Sequence, residues 1–255
     1  HSFPTRRSSD LESAWPGRLA FEARDTRTKA RVQTQLCGDH WLAAALGALA
    51  AAAAVGIPLE AAAARAADAA PFRGRLQPVR LPSGAIVLRD DYNASLDGTQ
   101  AAFEVMRSAR AARRILVISD LSDFGGNRKR RLRYVAAQLA SIAGMAVFVG
   151  ESVDYAVNRA VEAGLPAGAV FGFPTPAAAA EFLRGELREG DLVLLKGRTT
   201  DHIARIFFAQ FAEVACWKAV CPKTRLCDEC WELGIRAEDF QRIQLVEAGD
   251  SRPAN

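Results

Sequence analysis

Seven polar side chains stand where apolar runs of this chain end, and their types suit a phosphorylated ligand: Arg75, Asp90, Tyr92, Asn93, Asp120, Lys196 and Arg198. A carboxylate can hold ribose hydroxyls, a guanidinium forks onto phosphate oxygens, and an ammonium neutralises charge developing on a transferring phosphate. The segment Asp90-Asp91-Tyr92-Asn93-Ala94-Ser95 leaves the short apolar run Ala85–Leu88 as a polar turn. Open α/β sheets take ligands at such loops, beyond the carboxyl ends of buried strands. The plain alternative is a solvated connection between a strand and a helix, and for Lys196 and Arg198 a solvated turn.

A second set of groups is sulfur. Cys216, Cys221, Cys227 and Cys230 are spaced C-x4-C, five residues, then C-x2-C. Four thiolates in that spacing would hold a tetrahedral Zn²⁺ or an iron–sulfur cluster. Reduced thiols, or disulfides in an exported protein, account for the same pattern. His40, three residues after Cys37, lies at the start of an apolar helix and reads as a structural imidazole.

The elements that position these groups follow from periodicity. Arg18 to Leu36 alternates and turns at Asp25-Thr26-Arg27, as a β-hairpin does. Asp39 is expected to cap an Ala-rich helix that stops near Gly56, and Pro58 to open a second helix running to about Ala69. Leu76–Arg80 and Ala85–Leu88 flank Pro82-Ser83-Gly84 as a second hairpin. Asp97 and Gln100 form a capping-box pattern for a helix over Asp97–Arg110. Strands at Ile115–Ser119, Ala146–Val149, Ala169–Phe173 and Leu192–Leu195 then alternate with helices at Arg128–Ala143, Val153–Ala163, after Thr175-Pro176, and at Thr200–Phe211. The alternation predicts an α/β fold, a Rossmann-like, mostly parallel sheet with helices on both faces.

Composition limits the classes. With 255 residues, half of them hydrophobic, the chain can bury one large core or two small ones. The formal net charge is +4, much of it in Asn127–Arg133, a run that would attract phosphate or nucleic acid. No aromatic residue is interleaved there, so the run reads as the solvated start of a helix and no nucleic-acid partner is expected. Trp41–Ile57 is apolar, but Ala and Gly dominate it, which predicts a buried globular helix and no membrane span. Residues 1–10 resemble a translated sequencing-library adapter and are set aside as an artefact.

The motifs carry a family resemblance. Gly74-Arg75-Leu76, followed by a strand ending in DDYNAS, resembles the carboxyl-terminal domain of the Mur ligase family, most of all its D-alanyl-D-alanine-adding branch with GRLE and DDSYNANP. LLKGRTTDHI resembles that branch's VLVKGSR, ISDLSDFG loosely its LGDMLELG, and GDHWLAAALGALAAAAAVGI the family's G-x-H-N-x-x-N-A-L-A-A. Trp41 and Ala44 stand where the family has Asn, and Ser95 and Leu96 replace its Asn-Pro.

The resemblance implies the end of a central ATP-binding domain over residues 11–70, a carboxyl-terminal domain over 71–213, a Cys-rich tail over 214–234 and an extension over 235–255 with a disordered end. It implies that Arg75, Asp90, Tyr92, Asn93 and His40 contact nucleotide, and that Ser95, Asp120, Lys196 and Arg198 face the acid and amine substrates. ATP and Mg²⁺ would be used to make an acyl phosphate that an amino acid or dipeptide attacks, on a UDP-linked or similar acid, in the cytoplasm. No G-x-x-x-x-G-K-[ST] phosphate loop occurs in the chain. The resemblance therefore implies an amino-terminally truncated ligase, inactive alone, with no catalytic residue of its own. The alternative is a Rossmann-like binding module whose metal-stabilised Cys tail docks a partner.

Overall fold

A computed structural model describes residues 6–7, 17–122, 126–223 and 225–247. Most of the adapter-like start, Asp123-Phe124-Gly125 of the ISDLSDFG segment and the last eight residues lie outside the described residues. The first hairpin forms where alternation places it, from β2 (Ala20–Arg24) and β3 (Lys29–Gln33), with β1 (Arg6–Arg7) antiparallel on the other side of β2. Asp25 fixes its turn by accepting the backbone N–H groups of Arg27 and Thr28 at 2.7 and 2.6 Å. Helices α1 (Leu42–Ala54) and α2 (Leu59–Ala67) follow. The cap differs from expectation: a 3₁₀ turn over Asp39–Trp41 precedes α1, with Gly38 at its N-cap. Leu19, Phe21, Val32, Leu49, Leu59 and Ala63 make this unit's small core.

The larger sheet has seven strands. In chain order its elements are β4 (Gln77–Arg80), β5 (Ile86–Asp90), α3 (Leu96–Ser108), β6 (Arg113–Ile118), α4 (Arg128–Ala136), β7 (Met145–Val149), α5 (Val153–Glu162), β8 (Val170–Phe173), α6 (Pro176–Glu186), β9 (Asp191–Lys196), α7 (Ala204–Phe208) and β10 (Gln244–Leu245). The spatial order is β10-β4-β5-β9-β6-β7-β8; β5, β9, β6, β7 and β8 are parallel, and the β4 and β10 edge is antiparallel. The chain winds outward from β6 to β8, then returns through α6 to insert β9 between β5 and β6.

Side chains alternate between two faces as pleating requires. Leu88, Leu116, Ile118, Phe148 and Leu194 pack with α3, α4 and α5 on one face. Val87, Ile115, Val117, Val147 and Leu195 pack with α6 and α7 on the other. Val214, Cys216 and Leu233 of the Cys-rich tail are buried in that second face, so the tail is part of the core. The segment beyond residue 234 is likewise built in as far as β10, which pairs with β4. Arg18 crosses between the two units: it donates to Cys37 Sγ at 3.0 Å and to the Val246 carbonyl.

Three helix expectations change. Ser95, not Asp97, caps α3, its hydroxyl accepting the Gly98 N–H at 3.3 Å. The helix from Arg128 ends at Ala136, and a 3₁₀ turn over Leu139–Ser141 follows. The helix expected over Thr200–Phe211 is split by His202, whose φ of +54 no helix accommodates. Among the described residues no helix is long and apolar enough to cross a membrane.

Candidate functional site

Three neighbouring parallel strands end at the same level. Asp90 closes β5, Lys196 closes β9 and Ile118 closes β6, with Lys196 in register with both others. Lys196 Nζ donates to Asp90 Oδ2 at 2.6 Å and to the Asn93 carbonyl at 2.8 Å. Asp90 Oδ1 accepts the Leu76 N–H at 3.3 Å. Leu76 holds a φ of +47, a left-handed conformation that costs a branched residue on the order of 1 kcal/mol. Lys196 is 1% exposed and Asp90 7%, so the lysine is a sealed ion pair and not a solvated turn. Burial pushes the Asp90 carboxyl above its ordinary range; the Lys196 ammonium and the Leu76 N–H pull it back.

Near this pair the aromatic rings of Phe72 and Tyr92 are exposed. The Arg75 guanidinium sits 4.6 Å over the Tyr92 ring, and Phe72 meets that ring edge-on at 5.7 Å. His40 stands in the 3₁₀ turn before α1, its ring tilted against Trp41 at 5.1 Å. Burial, together with the positive charges of Lys196 and Arg75, holds its imidazole below the usual histidine range. Arg75, Asp90, Tyr92, Asn93, His40 and Lys196 are thus brought to one rim.

Asp120, Arg198 and Ser95 form a second wing. Asp120 accepts Arg131 Nε and Nη2 at 2.7 Å each, with Arg128 at 3.4 Å and Arg198 at 3.8 Å. Burial opposes the charge on Asp120, but Arg131, Arg128 and the Leu121 N–H together hold its carboxyl below the usual range. Arg128 and Arg131 therefore turn inward to the rim, while Lys129, Arg130 and Arg133 remain the solvated face expected of the basic run. Arg198 pairs with Asp201 at 2.7 Å, and Asp201 accepts the Ser119 hydroxyl at 2.6 Å. Ser95 is occupied as the α3 cap, and Asn93 Oδ1 accepts the Ser122 hydroxyl at 2.8 Å. Gly197 has no room for a side chain: a Cβ there would lie 2.4 Å from Ile203 Cδ1 and 2.5 Å from Ser119 Oγ.

Sequence reasoning missed a buried charge cluster directly behind the rim. Arg89 is forked onto Asp91 (Nε at 3.2 Å, Nη2 at 2.8 Å) and onto Asp228 (Nη1 at 2.6 Å, Nη2 at 3.0 Å). Its guanidinium also stacks 4.6 Å over Phe207. A signal was available, because an arginine in the apolar strand AIVLRD demands a buried partner.

The metal expectation finds no support. Among the described residues no group of three or more His, Cys, Asp or Glu is arranged to hold a metal ion. The four cysteines have different surroundings: Cys216 is buried in the core, Cys221 is half-buried, Cys227 Sγ lies 3.4 Å from His202 Nδ1, and Cys230 Sγ lies 3.8 Å from Lys223 Nζ.

A doubly wound sheet with its polar rim at the point where winding reverses is the arrangement in which open α/β sheets take their ligands. Residues 74–199 match the family described as Mur ligase, glutamate ligase domain, and through them the chain belongs to the Mur ligase family. It is 30% identical over 219 residues to the UDP-N-acetylmuramoyl-tripeptide–D-alanyl-D-alanine ligase of Mycobacterium tuberculosis, a match covering 78% of this chain and 42% of that protein. The chain thus spans less than half the length of that relative. Its fold is similar to a crystal structure of MurF from Acinetobacter baumannii, with a TM-score of 0.67 and 22% identity, covering 78% of this chain and 44% of the other. A MurF ligase from Thermotoga maritima in complex with ADP gives a TM-score of 0.61 at 18% identity, covering 78% and 44%.

Proposed function

We propose that this chain is the carboxyl-terminal part of an ATP-dependent ligase that joins an amino acid or dipeptide to the carboxylate of a UDP-linked muramoyl-peptide, or a similar acid, through an acyl phosphate. The observation that carries the reading is the rim itself, with Arg75, Asp90, Asn93 and Lys196 gathered at the ends of β5 and β9. In this reading residues 11–70 end a central ATP-binding domain and residues 71–213 are the carboxyl-terminal domain. The outer face of α1 suits that division: where a buried helix was expected, α1 buries Leu49 alone, and Ala43, Ala44, Ala48, Ala51, Ala53 and Ala54, with Val55 and Ile57 after them, stand exposed, an apolar surface of the kind another domain covers.

Each group has a task. The Arg75–Tyr92 stack, with His40 nearby, offers a nucleotide a guanidinium for phosphate and an aromatic surface for a base. Asp90 orients Lys196 and the Leu76 N–H, while Asn93 fixes the turn that carries them. Arg198, backed by Asp201 and Asp120, faces the acid and amine, with Ser95 at the helix end beside them. Mg²⁺ would travel with the triphosphate and offset its charge. The buried carboxylates Asp90 and Asp120 are already neutralised by Lys196 and Arg131, so the rim supplies no carboxylate for that ion. A cytoplasmic place follows from the substrates such a ligase uses.

The test compares the chain alone with the chain joined to a phosphate-loop-bearing central domain from the Mycobacterium tuberculosis relative, each given ATP, UDP-muramoyl-tripeptide and D-alanyl-D-alanine. Phosphate release is expected from the joined protein only, dependent on both other substrates and lost in Lys196→Met. Release by the chain alone, or release from the joined protein that ignores the amine, would overturn the reading.

A further inference from the structure

The Cys-rich tail holds a second reactive arrangement that the ligase reading does not use. Cys227 opens a 3₁₀ turn over Cys227–Glu229, and the Cys230 N–H donates to the Cys227 carbonyl at 3.1 Å. A turn closed from residue i to i+3 keeps the outer Cα atoms within about 7 Å, the range a disulfide spans. Both cysteines are free thiols and both are partly buried. Asp228, between them, is forked onto Arg89, which pins the turn to the sheet.

The two sulfurs have different neighbours. Cys230 Sγ is 3.8 Å from the Lys223 ammonium, and Lys223 is itself held by Glu232 at 2.9 Å and lies 5.3 Å over the Trp231 ring. The Lys223 ammonium thus stands beside the sulfur on which negative charge would gather during attack on a disulfide. Cys227 Sγ is 3.4 Å from His202 Nδ1, in the loop that follows Lys196.

We propose that Cys227 and Cys230 form a thiol–disulfide exchange site for low-molecular-weight disulfides of the glutathione class, with Cys230 the attacking thiol and His202 the proton acceptor for Cys227. Burial keeps the Cys227 thiol protonated by raising it, against Arg205, which lowers it. Burial and Arg205 hold His202 below its ordinary range, against Asp201, so the imidazole meets the thiol as a neutral base.

The steps balance. Cys230 thiolate, its proton lost to solvent, attacks one sulfur of the oxidant; that S–S bond breaks, and the leaving thiolate takes a proton from water. Cys227 Sγ then attacks Cys230 Sγ while its proton passes to His202 Nδ1. The mixed disulfide breaks, and the second leaving thiolate takes that proton from His202, which returns to its neutral form. Two cysteine thiols are oxidised by two electrons to one disulfide, and one small disulfide is reduced to two thiols.

The experiment treats the reduced full chain with oxidised glutathione, traps remaining thiols with a maleimide and analyses tryptic peptides by mass. Trypsin leaves both cysteines in one peptide, 226–236, so the disulfide reads as loss of two hydrogens from that peptide. Expected are a Cys227–Cys230 disulfide formed at least about tenfold faster than in the isolated peptide, and Cys37 and Cys216 still reduced. Cys227→Ser should stop at a glutathione adduct on Cys230, and Cys230→Ser should not react. His202→Asn, chosen because Asn tolerates the left-handed backbone, should accumulate the same adduct before closing. An adduct on Cys227, pairing with Cys221, or a rate no greater than that of the free peptide would overturn the proposal. Because the cysteine variants change one sulfur to oxygen, these outcomes are read on folded protein even if His202→Asn does not fold.

Discussion

Lys196 and Asp90 meet at 2.6 Å on the last residues of two adjacent parallel strands, sealed from water. Neither charge is tolerable there without the other. Lys196→Met should therefore cost about 3–5 kcal/mol, because it leaves Asp90 uncompensated. Urea denaturation measures the loss. The double variant Lys196→Met/Asp90→Asn should recover part of it, and an unchanged midpoint in Lys196→Met would show that the pair contributes nothing.

Asp228 does for the tail what Lys196 does for the rim. Its carboxylate and that of Asp91 flank Arg89, Arg73 approaches Asp228 from outside at 3.7 Å, and the side chains of Arg89, Asp91 and Asp228 are almost wholly buried. Asp228→Ala should destabilise by about 3–5 kcal/mol, and Asp228→Asn by less, since the amide still accepts one hydrogen bond. The tail should also loosen, which limited trypsin digestion would report as faster cutting after Lys223 and Arg225. Equal digestion rates would mean that the tail is held by its apolar contacts alone.

Asp120 should make stability sensitive to acid. Its carboxyl is held below the ordinary range in the fold, so its contribution is complete above about pH 4 and is lost as pH falls through the depressed folded value. Asp120→Asn should cost about 1–3 kcal/mol at neutral pH by leaving Arg131 unpaired. That difference from the unaltered protein should shrink below about pH 4. A difference independent of pH would contradict the assignment.

His40 and His202 act at milder pH. Burial, helped by neighbouring cations, holds both imidazoles below the usual range. The unfolded chain takes up protons near pH 6.5 while the folded one does not yet do so, so stability should decline as pH falls below about 6.5. Thermal midpoints between pH 7.5 and 5.5 should show that decline, and His40→Gln with His202→Asn should flatten it. A flat profile for the unaltered protein would refute it.

Much of the architecture was legible because local signals agreed with the global fold. Asp25 turned its hairpin, Thr175-Pro176 started α6, and the apolar runs expected as strands, Ile115–Ser119, Ala146–Val149, Ala169–Phe173 and Leu192–Leu195, each gave a strand of the sheet. The misses have local causes. Ser95 and Asp97 are both good caps two residues apart, and tertiary packing chose the first. His202 broke a helical pattern because its left-handed backbone leaves no mark in residue type. Asp90, Tyr92, Asn93 and Lys196 were found since they close or follow a buried strand, whereas Asp228 pairs with Arg89 across 139 residues and no spacing rule reaches that far. The cysteine pattern suggested a ligand set, but Cys216 was claimed by the core and Cys227 by His202.

The hydrogen bonds from Arg18 to Cys37 and to the Val246 carbonyl tie the first hairpin to the final strand. A fluorophore or affinity handle appended after Glu247 would accordingly emerge at the seam between the two sheets, where it could report their relative movement. Trimming back to residue 243 would not shave off a loose end; it would unhook a guanidinium that spans the junction.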